Sequence, residues 1–146
     1  MQRRLRLGMV GGGQGAFIGA VHRIAARIDD QYELVAGALS SDPDRARDSG
    51  AALHLAPERS YSDYRAMAQA EAARADGIEA VAIVTPNHLH APVATAFMEA
   101  GIHVICDKPL GISLAEGQKL AALAQRKNLL FALTHTYSGY PLLRHA

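Results

Sequence analysis

The chain has 146 residues, 49% of them hydrophobic, and carries 15 Lys and Arg against 14 Asp and Glu for a formal net charge of +1. That length and apolar content suit one domain with a buried core, and the near-neutral balance gives no basis for nucleic acid or an anionic membrane as a partner. The single cysteine, Cys106, has no partner for an internal disulfide, no Cys/His spacing suggests a zinc site, and no apolar run approaches membrane-spanning length, so a cytoplasmic location is expected.

Taken in order, strand-like apolar runs alternate with segments of helical period, the signature of βαβ units around a parallel sheet. Arg3, Arg4 and Arg6 lead into a first strand over residues 5–10, and the glycines after it break the apolar region that a signal peptide requires. A helix over 16–28, a strand over 33–39 and a short helix after Pro43 come next, followed by a weak strand near 52–55. The pattern then predicts a helix from Ser62, read as its N-cap, to 75, a strand over 80–84, a helix over 91–100 stopped by Gly101, and a strand over 102–106. Ser113 and Glu116 have capping-box spacing for a helix over 113–127, ahead of a last strand over 129–134. The expected fold class is α/β, a doubly wound parallel sheet in one domain.

In such open sheets ligands bind at the carboxyl ends of strands. After the first strand come Gly11, Gly12, Gly13, Gln14, Gly15 and Ala16. A G-x-G-x-x-G/A turn there permits a tight bend, close backbone approach to a pyrophosphate and close helix packing, with phosphate held by amides at the helix N-terminus. Gly11, Gly13 and Ala16 fit that register, while Gly15 and Gly19 permit a shifted one. A generic tight turn uses the same residues, so the motif gains weight only from the other strand ends.

The second strand ends in Ser40 and Ser41 where an NAD site often places a carboxylate for the adenosine ribose, and Arg45 follows nearby. A small hydroxyl leaves room for the 2′-phosphate of NADP, whereas Asp42 keeps NAD open; a plain helix-capping loop ahead of Pro43 would look the same. Thr85 and Pro86 end another strand and bring Asn87, His88 and His90 to the crevice. Asn87 can donate and accept, as a ribose or carboxamide contact requires. The two histidines lack a third ligand, and residues two apart do not readily share a helix face, so no metal site is expected. Asp107 and Lys108 close the next strand, with Pro109 fixing the chain behind them. An ammonium held at a strand end can meet a ribose hydroxyl or a developing alkoxide, which makes Lys108 the catalytic candidate.

The glycine loop, Thr85-Pro86-Asn87-His88-Leu89-His90, and the run from Gly101 through Cys106-Asp107-Lys108-Pro109 to Leu110 together resemble the amino-terminal domain of the glucose-fructose oxidoreductase and inositol dehydrogenase family. The resemblance covers nearly the whole chain and implies a Rossmann domain over residues 1–146 that binds NAD or NADP. It implies Asn87 and His90 near the nicotinamide half and matches Lys108 to the lysine of the family's Glu-Lys-Pro motif, which contacts the nicotinamide ribose and substrate. Asp107 stands in place of that motif's Glu. The implied parent is a dehydrogenase moving hydride between the nicotinamide and a sugar or cyclitol hydroxyl, with a second domain beyond Ala146 supplying a histidine base and the substrate pocket. On this reading the 146 residues alone are inactive, and the surface the second domain would cover offers a route to homo-oligomers. A noncatalytic dinucleotide-binding or sensor module remains an alternative, and a methyltransferase using S-adenosylmethionine is disfavoured by Ser40 at the position usually acidic.

Overall fold

The computed structural model describes residues 3–146. Strands β1 (Leu5–Gly11), β2 (Tyr32–Ala38), β3 (Ala80–Val84), β4 (His103–Asp107) and β5 (Phe131–Thr134) form one sheet, parallel throughout, in the order β2-β1-β3-β4-β5. Chain direction across the sheet reverses between β1 and β3, which opens a crevice beyond their carboxyl ends.

Alternation along the strands builds two cores. Val10, Val81, Ile83, Val104 and Cys106 face α3 (Tyr64–Ala72), α4 (His90–Glu99) and α5 (Leu114–Lys127), around the fully buried Phe97. Leu7, Met9, Ala82 and Val84 face the other way, against Ile18 and Ala26 of α1 (Phe17–Ile28) and against Leu53 and Leu55. All five residues of β3 are buried, as befits a central strand covered on both faces. A short helix, α6 (Pro141–His145), follows the last strand.

The strand expected near 52–55 does not form. Asp42 caps α2 (Pro43–Ala52), and the chain leaves that helix through Leu53 and Leu55 amides that both return to Gly50 O, with His54 at a φ of 59°. Those amides serve the turn, so the alternating Leu53 and Leu55 pack under the sheet instead of extending it. The outer edge of β2 gains only a bridge from Gly37 to Ser60, with Tyr61 N donating to Gly37 O at 2.8 Å. The cap of α3 is Asp63, which accepts from Ala66 N, one residue later than Ser62.

A buried ion pair fixes the segment before α3. Glu71 accepts from Arg59 Nε at 3.1 Å, Tyr61 Oη at 3.0 Å and Ile78 N at 3.2 Å. Burial and the Glu71 carboxylate push the Tyr61 phenol up to about 12. Ser62 and Tyr64, just beyond, form one wall of the crevice.

Candidate functional site

β1 runs directly into the glycine loop. Gly11, Gly12 and Gly15 take φ values of 81°, 73° and 80°, a region closed to most side chains. A Cβ on Gly12 would come within 2.8 Å of Gly19 Cα, so loop and helix meet backbone to backbone. Close helix packing therefore belongs to Gly12 and Gly19, so of the shifted pair Gly15 and Gly19 only Gly19 makes this contact, and Ala16 occupies the N-cap of α1 without a side-chain capping bond. The first amides of α1 are thus left for an acceptor, the arrangement helix N-termini present to anions.

Gly13 has a structural role that the motif does not announce. Its amide donates to Leu39 O at 3.2 Å, and Gln14 N donates to Ser49 Oγ at 3.1 Å, which ties the loop to the end of β2 and to α2. From the other side, Arg23 Nη1 donates to Gly12 O at 2.8 Å.

A cleft of about 500 Å³ opens over these strand ends, lined by Gly11, Ser40, Ser41, Arg45, Thr85 and Pro86 among others. A smaller one of about 150 Å³ shares Ser40 and Arg45 and adds Gly13, Gln14 and Ala16. Gly15 borders an adjoining groove with the same loop residues. Ser40 Oγ accepts from Asp42 N at 3.2 Å, and Asp42 Oδ1 accepts from Arg45 N at 2.8 Å. The Asp42 carboxylate is therefore taken up by the cap of α2, while the exposed Arg45 lines both clefts.

Thr85 Oγ1 is buried and has no hydrogen-bond partner among the described residues. Leaving a buried hydroxyl unpaired costs about 1–3 kcal/mol, which a polar group lying in the cleft would recover. A Cβ on Gly11 would fall 2.8 Å from Val84 O, so β1 and β3 meet without room for a side chain at the floor of the cleft that Gly11 and Thr85 both line. Both observations fit a dinucleotide laid across β1 and β3.

Beyond β3, Asn87 and His88 are exposed on a 3₁₀ turn. His90 is not. Its ring is 1% exposed, with Nδ1 2.6 Å from Pro109 O and Nε2 3.0 Å from Thr85 O. His90, expected near the nicotinamide half as a cofactor contact, is instead buried away from the cleft surface: a side chain on the first turn of α4 leans back toward the helix start, and both ring nitrogens of this one end on main-chain carbonyls.

Lys108 is exposed just past β4 and forms no salt bridge among the described residues, and the Lys108–Pro109 peptide is cis. Asp107 lies on the α1 side of the sheet, where Oδ1 accepts from Thr134 Oγ1 at 2.9 Å and sits 3.7 Å from His22 Nε2. It lines a groove against α1, not the clefts that hold Gly11 and Arg45. Burial pushes the Cys106 thiol up to about 12, with Asp107 adding to the effect, so this cysteine is an inert core residue. Among the described residues no group of three or more His, Cys, Asp or Glu converges on a metal position, and no helix is long and apolar enough to cross a membrane.

Residues 5–135 match the model of the GFO_IDH_MocA family, described as an oxidoreductase family with an NAD-binding Rossmann fold. The chain belongs to this family. An oxidoreductase of the Sinorhizobium meliloti structure is 62% identical, with a TM-score of 0.93 over 99% of this chain and 40% of its own. An inositol dehydrogenase homologue from Azotobacter vinelandii, solved with NAD+ and again with NADH and myo-inositol, is 42% identical with a TM-score of 0.94, matched over 99% of this chain and 37% or 38% of its own. YfiI of Bacillus subtilis, an uncharacterized oxidoreductase, is 44% identical over 98% of this chain and 37% of its own length. The chain thus spans about two fifths of these relatives and is the family's NAD-binding Rossmann domain.

Proposed function

We propose that the protein carrying this chain is a dehydrogenase that passes hydride between a nicotinamide dinucleotide and the carbinol carbon of a sugar or cyclitol. The observation that carries this reading is the meeting of the glycine loop, the unpaired Thr85 hydroxyl and Arg45 in one crevice, with the exposed Lys108 at the next strand end. The Azotobacter vinelandii homologue, whose structure holds NADH and myo-inositol, supports the substrate class.

When bound, the cofactor supplies the hydride acceptor, and the protein's part is orientation and electrostatics. The loop amides and the start of α1 would hold the pyrophosphate. Ser40, Ser41 and Arg45 would border the adenosine ribose of NAD or the 2′-phosphate of NADP, with the Asp42 carboxylate withdrawn into its cap. Asn87 would meet the carboxamide or ribose of the nicotinamide half. Lys108 would stabilise negative charge on the substrate oxygen as its proton leaves for a base outside these 146 residues. Such a domain, over residues 1–146, is expected to bind cofactor without turnover in the cytoplasm. Its exposed Phe17, Ile28, Leu142 and Leu143 offer apolar surface for self-association of the isolated domain.

The test is equilibrium titration with NAD+, NADP+ and S-adenosylmethionine, joined to turnover assays of the 146-residue chain, the full-length protein and its Lys108→Ala variant on sugars and cyclitols. Cofactor binding by the chain, turnover only by the longer protein, and a kcat that falls more than cofactor affinity in the variant are expected. Preference for S-adenosylmethionine, turnover by the chain alone, or a fully active variant refutes the reading.

A further inference from the structure

His90 stands outside the cleft yet joins its two sides. The paired register of β3 and β4 ends at Ile83 and Cys106, so beyond it the Thr85–Asn87 turn and the Lys108–Pro109 turn leave the sheet separately. The buried His90 ring spans the gap between them. Nε2 meets the carbonyl of Thr85, a residue that lines the cleft, and Nδ1 meets the carbonyl of Pro109, directly after Lys108. Both distances, 3.0 and 2.6 Å, lie within hydrogen-bond range. Both partners are main-chain atoms, so the ring constrains backbone position at each turn, not the rotamer of a neighbour.

The geometry points to His90 as a positioning residue for Lys108. Wedged between the carbonyls of Thr85 and Pro109, and donating to the one that faces its N–H, the ring sets the distance between the turn that would carry the nicotinamide half and the turn that carries the ammonium. The inference rests on the role proposed above for Lys108. Small displacements of a reacting group are expensive: about 1 Å can cost on the order of a hundredfold in rate. Replacing the ring by Phe keeps a buried aromatic of somewhat larger volume but removes the N–H donor, so the polar tie between the two turns is lost while the cleft over β1 keeps its residues.

The test is a double-mutant cycle in the full-length protein, using His90→Phe, Lys108→Ala and the double variant, with NAD+ and myo-inositol or aldohexoses as probes and single-turnover hydride transfer read by nicotinamide absorbance. His90→Phe is expected to lower the rate by about ten- to a hundredfold while changing NAD+ affinity far less. In the Lys108→Ala background the same substitution should cost little more, because the group it positions is already gone. His90→Gln, which restores one N–H donor, should recover part of the rate and serves in the same cycle if the Phe variant does not fold. A histidine that only stabilises the core would slow both backgrounds alike, and that additive result, or an unchanged rate in His90→Phe, overturns the inference while leaving the Lys108 reading intact. Full activity in Lys108→Ala overturns both.

Discussion

Replacing Gly13 by Ala probes the loop with a single methyl group. A Cβ at this position would stand 2.6 Å from Leu39 O and 2.8 Å from Ser49 Oγ. Comfortable contact needs about 3.4 Å or more, so the loop or the end of β2 must retreat by about 0.6–0.8 Å. That retreat stretches two hydrogen bonds already near 3.2 Å, Gly13 N to Leu39 O and Gln14 N to Ser49 Oγ. At about 0.5–1.5 kcal/mol each, the fold loses about 1–3 kcal/mol. The free amides at the start of α1 shift with the loop, and one lost bond from them to the charged pyrophosphate, about 1.5–3 kcal/mol, raises Kd for NAD+ by about 10- to 150-fold. Calorimetric titration with NAD+, paired with a thermal melt, measures both terms. Gly15→Ala is the control: nothing lies within 4 Å of its Cβ, and only the left-handed φ of 80° opposes the change. A Gly13→Ala variant that melts within this range yet binds NAD+ with unchanged Kd would refute the argument.

Thr85→Val removes a hydroxyl that has no partner among the described residues, so stability should hold or rise while Kd for NAD+ rises about tenfold; an unaltered Kd on titration would take Thr85 out of the site. Arg45→Ala should weaken NADP+ about tenfold or more through loss of a charge-assisted phosphate contact and leave NAD+ nearly unchanged, whereas equal losses for the two cofactors would show that Arg45 reads no 2′-phosphate. Arg3 Nη1 and Nη2 donate to the two Glu79 oxygens, at 2.6 and 2.8 Å, and with the Arg6 amide they hold that carboxyl down from 4.5 to about 2. Because the folded value is the depressed one, the stabilisation is complete above about 4.5 and fades as pH falls toward 2. Urea titrations should therefore find Glu79→Gln less stable at neutral pH and level with the parent in strong acid; a pH-independent gap would contradict this.

The sheet was readable because its strands are nearly continuous apolar runs: β3, buried at all five positions, carries no alternation that could mislead. Turn chemistry was readable too, since Pro43 after Asp42 and Ser113 ahead of Glu116 mark helix starts that tertiary packing did not move. The segment 52–55 failed because Leu53 and Leu55 alternate as a strand would, while their amides were already claimed by the end of α2. At the site, glycines and strand ends were legible, but directions of side chains were not. His90 reads as a pocket residue because it follows Asn87 and His88 at a strand end, yet as the first residue of α4 it turns its ring inward onto Thr85 O and Pro109 O. Asp107 reads as a companion of Lys108, yet strand alternation puts its carboxylate on the α1 face, beside His22 and Thr134. Ser49 lies 35 residues from Gln14, and no local pattern announces that its hydroxyl holds the loop.

The backbone contact between Gly12 and Gly19 decides where this domain could be redesigned. With no side chain between them, the glycine loop and α1 are in direct backbone contact, and a bulkier residue at either position has nowhere to go. The phosphate end of the cleft is for that reason a fixed die that cannot widen for a different dinucleotide. The opposite wall is unlike it: Ser41 and Arg45 are exposed, on a turn held by the Asp42 cap and the Asp42 N to Ser40 Oγ bond. Attempts to retarget the cofactor should leave the loop untouched and vary only the β2–α2 turn, where substitutions change the charge offered to the ribose without moving the amides that grip the pyrophosphate.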